Sequence, residues 1–301
     1  MCCSSAFPVF ERRMDILSRS KTFPYVFILP SVLLFVVFIL YPIISSFVLS
    51  FQTSNGGETS FAGLANYERL LHDEIFWKAL KNTFIIFIFQ VPIMLFLGLV
   101  LATVLNNKLL KWKGFFRVGF YLPAVTSLVA YSLLFSIMLQ DSGLINNLLS
   151  YIGIGPIPWL SSASWSKVSI ILAMIWRWTG YNMVIYLAAL QNIPEDTYEA
   201  ADMDGAGKIR QFFSITIPQL KPVILFTAIL STIGTLQLFD EPFNLTKGGP
   251  ADSTMTLGLY IYQNGFKYFD FSYASAVAYV VVIIVAVLSF LQFKFTGADK
   301  K

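Results

Sequence analysis

A chain of 301 residues can fold as one large domain or two small ones. Apolar residues make up 56%, against a usual ~45–50% that also counts glycine, and charged residues 13%, against ~25%. So few charges cannot cover a soluble globule with a mean hydropathy of +0.68 and 29 phenylalanines. The class is integral membrane protein, and collagen, disordered tail, disulfide scaffold and ordinary cytosolic enzyme are excluded. A net charge of +4 makes no case for nucleic acid, because in a membrane chain the placement of Lys and Arg carries the information. The single histidine, His72, excludes a multi-histidine metal site. Adjacent Cys2 and Cys3 cannot build a disulfide framework or a zinc knuckle. They are either palmitoylation candidates or part of a tail with no role, and Met14 offers a second start before the first apolar run.

A spanning helix needs about 20 mostly apolar residues. Beyond a tail at 1–24, six segments meet that length: Tyr25–Phe51, Asn82–Leu105, Phe116–Leu139, Val168–Leu190, Val223–Phe239 and Tyr273–Phe293. The runs are continuous rather than alternating, which argues against a membrane barrel. The first is too long for a cleaved signal peptide, and no small-residue cleavage site follows it. The expected fold is therefore all-α with six transmembrane helices. It has a first helix at 25–51, a five-helix core at 76–293 and a C-terminal tail at 294–301. Basic residues gather before the first span (Arg12, Arg13, Arg19, Lys21), in the second connection (Lys108, Lys111, Lys113, Arg117), in the fourth (Lys208, Arg210, Lys221) and at the C-terminus (Lys294, Lys300, Lys301). The opposite connections hold fewer than half as many, so both termini are expected in the cytoplasm. Trp112, Trp159 and Trp165 lie near span ends and read as interfacial anchors.

The connection at 191–221 is the most charged stretch of the chain. Pro194, Glu195 and Asp196 make a helix start, with acids at the positive end of the dipole. Tyr198 to Met203 reads as a short helix, and Gly205 and Gly207 break it. Ile209, Phe212 and Phe213 supply a second amphipathic turn, which Pro218 is expected to end before the fifth span. On physical grounds alone the segment is either a projecting knob or a helix pair that only joins two spans.

Its residues follow a pattern. Glu199-Ala200-Ala201 is followed after three residues by Gly205, and after nine more by Ile215-x-Ile217-Pro218. This resembles the EAA signature of permease subunits of binding-protein-dependent ATP-binding-cassette importers, with Ile217 in place of the usual Leu. Trp176 to Tyr181, Leu190 to Pro194, Asp202 to Gly207 and Asn244 to Pro250 are similar to the maltose-type branch of sugar permeases. That branch also handles multiple sugars, lactose, arabinose oligomers and glycerol 3-phosphate. The resemblance runs from Tyr25 to Phe293. It implies the type I importer permease (MetI-like) fold in a bacterial cell membrane, forming half of a sugar translocation pathway. It also implies that Glu199, Ala200, Ala201, Asp204, Gly205, Ala206 and Pro218 couple to an ATPase subunit. Small side chains at Ala200, Ala201, Gly205 and Ala206 let another backbone approach, and Gly205 suits a turn with positive φ. Glu199 either accepts a charge-assisted hydrogen bond from the ATPase or is a solvated helix-start carboxylate.

The chain itself is not read as an enzyme. A phosphate loop needs Gly-x-x-x-x-Gly-Lys-Ser/Thr, whereas Gly207-Lys208 is followed by Ile209 and preceded five positions earlier by Asp202. No cofactor is expected on this chain; ATP and Mg belong to two partner ATPase subunits. The resemblance further implies a second permease subunit and an extracytoplasmic solute-binding protein.

Arg177 lies near mid-depth of the fourth span, where an arginine costs ~2.5–3.5 kcal/mol on insertion scales. Trp176 and Trp178 offer it cation–π faces and offer a sugar stacking surfaces, and Tyr181 lies one turn on. Arg177 either faces the substrate pathway or makes a structural pair. Ser231, Thr235 and Leu238 share a face of the fifth span, with Gln237 beside them. In the maltose-type branch, polar side chains of this span line the sugar site. The alternative for the hydroxyls is back-bonding to their own helix. Asp240 and Glu241 are expected at the outer cavity mouth or against the binding protein. A secondary transporter would show inverted repeats and mid-membrane carboxylates, and a membrane enzyme a nucleophile–base pair. Those two classes and a permease for a non-sugar solute such as glycerol 3-phosphate are the competing readings.

Overall fold

Four long helices and one bent pair pack into a bundle, and a fifth long helix, the first in the chain, stands at its side. The computed structural model describes residues 23–55, 58–107 and 110–296. Arg12, Arg13, Arg19, Lys21, Cys2, Cys3, Met14, Lys108, Lys300 and Lys301 lie outside the described residues.

The first helix, α1, is Phe23–Phe35, a π-turn at Val36–Leu40 and Tyr41–Ser50 in unbroken succession. It is apolar all round and almost wholly exposed, a surface suited to lipid or protein rather than water. Its last turns are held to the bundle: the Tyr279 hydroxyl donates to the Ile43 carbonyl at 2.5 Å, and the Phe47 ring meets Tyr279 edge-on. A two-stranded hairpin follows, β1 (Gln52–Asn55) antiparallel to β2 (Glu58–Phe61), with Gln52 opposite Phe61. The short helix α2 (Ala65–Leu71) leads to α3 (Glu74–Asn106).

The core is the crossing of α3 with α7 (Trp165–Leu190). Leu99, Ala102 and Leu105 pack on Met183, Tyr186, Leu187 and Leu190 at one end, and Ile86 packs near Ile170, Ala173 and Met174 at the other. Between them lies the expected third span, which is not one helix. It is α4 (Lys113–Val125) and α5 (Leu128–Met138), bent by 97°. Thr126 and Ser127 are extended, and the Thr126 hydroxyl turns back to the Pro123 carbonyl at 2.6 Å, offering the backbone an alternative to helix. With that pair counted as one, six spans result; otherwise five helices are long and apolar enough among the described residues. The pair is seated where a Cβ on Gly180 would come within 1.7 Å of the Phe120 carbonyl oxygen, so α4 and α7 touch backbone to backbone only because position 180 is glycine.

After α6 (Leu144–Tyr151), Trp159 departs from its expected role as an interfacial anchor. It is buried, donates its indole N–H to Asn146 Oδ1 at 2.9 Å and stacks edge-on against Trp165, organising the loop before α7. Trp112 is exposed.

The knob helix α8 (Glu195–Met203) precedes α9, which runs continuously from Lys208 to Leu236. Pro218 does not end a helix there. A π-turn at Phe212–Thr216, closed by the Ile217 amide bonding to the Phe212 carbonyl, widens the helix just before it. The proline ring therefore meets no regular i−4 bond. Past α9 come a π-turn at Pro242–Thr246, the short α10 (Leu257–Tyr262) and the last span α11 (Phe271–Thr296).

Asp73 ties these last elements to α3. It caps α3 by accepting from the amides of Ile75 and Phe76, and both the Tyr260 and Tyr273 hydroxyls donate to its Oδ2. Burial opposes the charge, but the bonds from Tyr260, Tyr273, Phe76 and Ile75 outweigh it and hold the carboxyl below its ordinary range. A depressed pKa contributes stability that is complete above the unfolded value of ~3.9 and is lost as pH falls through the folded value. Asp73→Ala is therefore expected to lower the thermal midpoint at pH 7, through a cap worth about 1 kcal/mol and two stranded hydroxyls. The deficit should narrow below about pH 4, as read by thermal shift of the purified protein; a deficit independent of pH would contradict this account.

Candidate functional site: a cavity in the bundle and a projecting knob

Three helices contribute one face each to a cavity of about 290 Å³. From α3 come Gln90 and Met94; from α7, Met174, Trp178, Tyr181 and Asn182; from α9, Thr227, Leu230, Ser231, Gly234 and Thr235. Steps of three and four residues keep each set on one side of its helix. Leu128 of α5 and the stretch Gln237 to Glu241 complete the wall.

Thr235 does not bond back to its own helix. Its hydroxyl donates to Gln90 Oε1 at 2.9 Å, and Gln90 Nε2 lies 3.0 Å from Met94 Sδ. Thr227 does bond back, to the Val223 and Ile224 carbonyls, and meets the Tyr186 hydroxyl at 2.6 Å. Ser231 is half-buried and Gln237 exposed, both on the cavity wall. Tyr181 meets Trp178 edge-on at 5.8 Å, so two aromatic rings share the same wall.

Arg177 is not on that wall. It is buried behind it, 6% exposed, with its guanidinium 4.6 Å from the Tyr131 ring centre and 5.3 Å from that of Trp178. Nε and Nη1 have no hydrogen-bond partner among the described residues. The expected second indole, Trp176, packs instead against Phe135 and Tyr131 and lines a separate groove with Phe116 and Phe120. The ring that takes its place is Tyr131, whose hydroxyl donates to Glu241 Oε1 at 2.5 Å. Glu241 therefore lies inside the bundle, 4% exposed, rather than at a mouth. Gln90, Met94 and Asn182 on the cavity wall, and Tyr131 against Arg177 and Glu241, are residues that sequence reasoning missed. The amides of Gln90 and Asn182 were a usable signal, since a polar side chain within an apolar span turns inward; Tyr131 carried none.

At the other end of α9 the knob is locked by its own side chains. Lys208 Nζ lies 3.0 Å from both Asp202 oxygens. Gln211, 3% exposed, donates to Asp202 Oδ1 at 2.5 Å and to the Ala206 carbonyl at 2.9 Å. These bonds, from Lys208 and then Gln211, hold the Asp202 carboxyl below its ordinary range. Tyr198 reaches Thr216 at 2.9 Å, tying α8 to the π-turn. Gly205 has φ +74°, with open space where a Cβ would stand. Glu199, Ala200, Asp204 and Gly205 are exposed, while Ala201 and Ala206 are half-buried against one another. Met203 and Ile209 add an exposed apolar surface, at 89% and 77%. Pro218 is away from this tip, at the foot of α9.

A membrane bundle that encloses a cavity of mixed polar and aromatic lining, with a helix–glycine–helix knob hung from one of its walls, has the build of a transport permease. Residues 74–295 match the family described as binding-protein-dependent transport system inner membrane component, and the chain belongs to that family. It is a multi-pass protein of the cell membrane, with α1 lying outside the matched region. The lactose transport system permease protein of Rhizobium radiobacter is 55% identical over 274 residues, covering 89% of this chain and 92% of that protein. The arabinooligosaccharides transport system permease protein of Halalkalibacterium halodurans is 37% identical over 295 residues, covering 97% and 93%. Among solved structures, a chain of a bacterial ABC transporter involved in import of the acidic polysaccharide alginate superposes with a TM-score of 0.83 at 24% identity, covering 96% of this chain and 100% of that one. A chain of the MetNI methionine ABC transporter superposes at 0.54 with 17% identity, covering 79% and 99%. The fold is thus that of importer permeases of this type.

Tyr131→Phe removes one hydroxyl and keeps the ring over Arg177. It leaves Glu241 without its donor inside the bundle, a loss of about 1–3 kcal/mol. The thermal midpoint of the purified protein should fall accordingly, whereas Tyr181→Phe, at a side chain with no hydrogen bond to lose among the described residues, should leave it within error.

Proposed function

We propose that this chain is the permease subunit of an ATP-driven sugar importer, forming half of the translocation pathway. The observation that carries the proposal is the continuity of α9. It begins at the knob with Lys208 and reaches the cavity wall at Ser231 and Thr235 without a break. At 1.5 Å per residue this is a rod of roughly 40 Å, so a displacement of the knob moves the cavity wall. The named substrates of the relatives support a sugar. So does the lining, in which Trp178 and Tyr181 offer ring faces and Gln90, Asn182, Ser231 and Gln237 offer polar groups.

On this reading the knob faces the cytoplasm, as do both termini. Glu199, Ala200, Asp204 and Gly205 meet an ATPase subunit, with Ala201 and Ala206 setting the loop and Pro218 marking its foot. Two such ATPases carry the ATP and Mg. A second permease subunit completes the pathway, and an extracytoplasmic binding protein delivers the sugar. Arg177 acts on the pathway from behind its wall.

Gly205→Asp tests the coupling. Nothing lies within 4 Å of the added Cβ, so the bundle should survive; the cost is a strained φ and a charge inside a close contact. Uptake should fall at least about tenfold, equivalent to ~1.4 kcal/mol, and ATP hydrolysis by the reconstituted complex should cease to respond to loaded binding protein. Normal stimulation would remove the knob from the coupling path. For orientation, Ser214→Cys should be labelled by an impermeant thiol reagent only after the cells are opened; labelling on intact cells would reverse the topology.

A further inference from the structure

We propose that Asp240 and Glu241 make the cavity selective for neutral sugars that donate hydroxyl hydrogen bonds, and reject anionic ones. The inference rests on the sugar reading above and narrows it. Among the described residues, Asp240 and Glu241 are the only acidic ones on the cavity wall, and no Lys, Arg or His shares the wall with them. The nearest positive charge, Arg177, is buried behind the Tyr131 and Trp178 rings and does not line the cavity.

The two carboxylates differ in setting. Glu241 has Oε1 occupied by the Tyr131 hydroxyl and lies within electrostatic reach of Arg177. Asp240 is half-buried, faces the same cavity, and has no hydrogen-bond or ion-pair partner for its carboxylate among the described residues. The acid that faces a ligand without a partner is therefore Asp240, while the Arg177 guanidinium is held against the Tyr131 and Trp178 rings off the wall.

An ionised carboxylate only accepts. A neutral sugar brings hydroxyl donors, and O–H···O⁻ bonds are among the stronger ones a site can form. A uronate or a phosphorylated polyol brings further acceptors and a like charge against the Asp240 carboxylate. The ring faces of Trp178 and Tyr181 carry the negative lobe of their quadrupoles and favour the C–H faces of a sugar over an anion. Sites built to hydrogen-bond hydroxyls discriminate strongly, because their polar groups are left unmatched by the wrong ligand. Of the readings left open by sequence, glycerol 3-phosphate is thereby disfavoured.

The test uses the assembled complex, with its second permease and ATPases, in nanodiscs without binding protein, so that prior selection does not intervene. Equilibrium binding is measured for lactose, maltose and arabinobiose, for lactose with its galactose C6 oxidised to a carboxylate, and for glycerol 3-phosphate. A neutral sugar should bind at least tenfold more tightly than the oxidised disaccharide and glycerol 3-phosphate. Asp240→Asn should narrow that ratio to threefold or less, and Glu241→Gln should weaken neutral binding at least tenfold. If Glu241→Gln fails to assemble, the half-buried Asp240→Asn decides alone. Equal binding of neutral and anionic sugars, or a ratio unchanged by Asp240→Asn, would overturn the charge filter while leaving the sugar reading intact. No binding of any neutral sugar, or tighter binding of glycerol 3-phosphate, would overturn both.

Discussion

Inside a bilayer a polar group has no water to turn to, and each one left unmatched is costly. That constraint organises this bundle. Gln90, Asn182, Thr235, Glu241 and Arg177 all sit within or beside apolar spans and all turn toward the interior. Two of their bonds join α3 to α9 and α5 to the stretch after α9, and Arg177 of α7 packs on the Tyr131 ring. Thr235 meets Gln90, and Tyr131 meets Glu241, so two helices and a bent span are tied by side chains that would be out of place on a lipid-facing surface. Two nitrogens of Arg177, behind the cavity wall, stay without a partner among the described residues.

A rigid link is useful only if both of its ends are defined. At one end the knob is a closed unit: Asp202, Lys208 and Gln211 bind across the turn that Gly205 makes with its positive φ. At the other end Leu236 is fully buried among α3, α10 and α11 residues, and the residues on either side of it line the cavity. Between them a π-turn at Phe212–Thr216 widens α9. Such turns recur at functional sites and at bends. Tyr198, bonded to Thr216, connects it directly to the knob.

The outer helix α1 follows a different logic. Its side chains are exposed almost throughout, and its last turns are held by Tyr279 against Ser46 and Phe47 and by Tyr67 and Asn66 against Ser50. A helix with an apolar surface on all sides is stable in lipid without a packed face, which is why it can stand apart from the core that the other spans form.

Sequence alone determined the membrane class, the number of apolar runs and the family, because these depend on composition and on patterns within about twenty residues. The EAA spacing, the helix start at Pro194 and the glycine turn at 205 are local, and local chemistry decides them. Tertiary structure decided what depends on pairing across the chain. Gln90 and Thr235 are 145 residues apart, and Tyr131 and Glu241 are 110 apart, distances over which no periodicity reports a contact. The break after Val125 and the passage of α9 through Pro218 went the same way. Pro123 lies inside a helix while the chain bends after it, and Pro218 lies in a helix that continues. A proline alone does not say which, because the outcome rests on the close seat at Gly180 in one case and on a π-turn in the other. Arg177 was visible as a costly residue from its depth in a span. That it stands behind the cavity wall, on Tyr131 rather than Trp176, was settled only by how α5 folds back against α7.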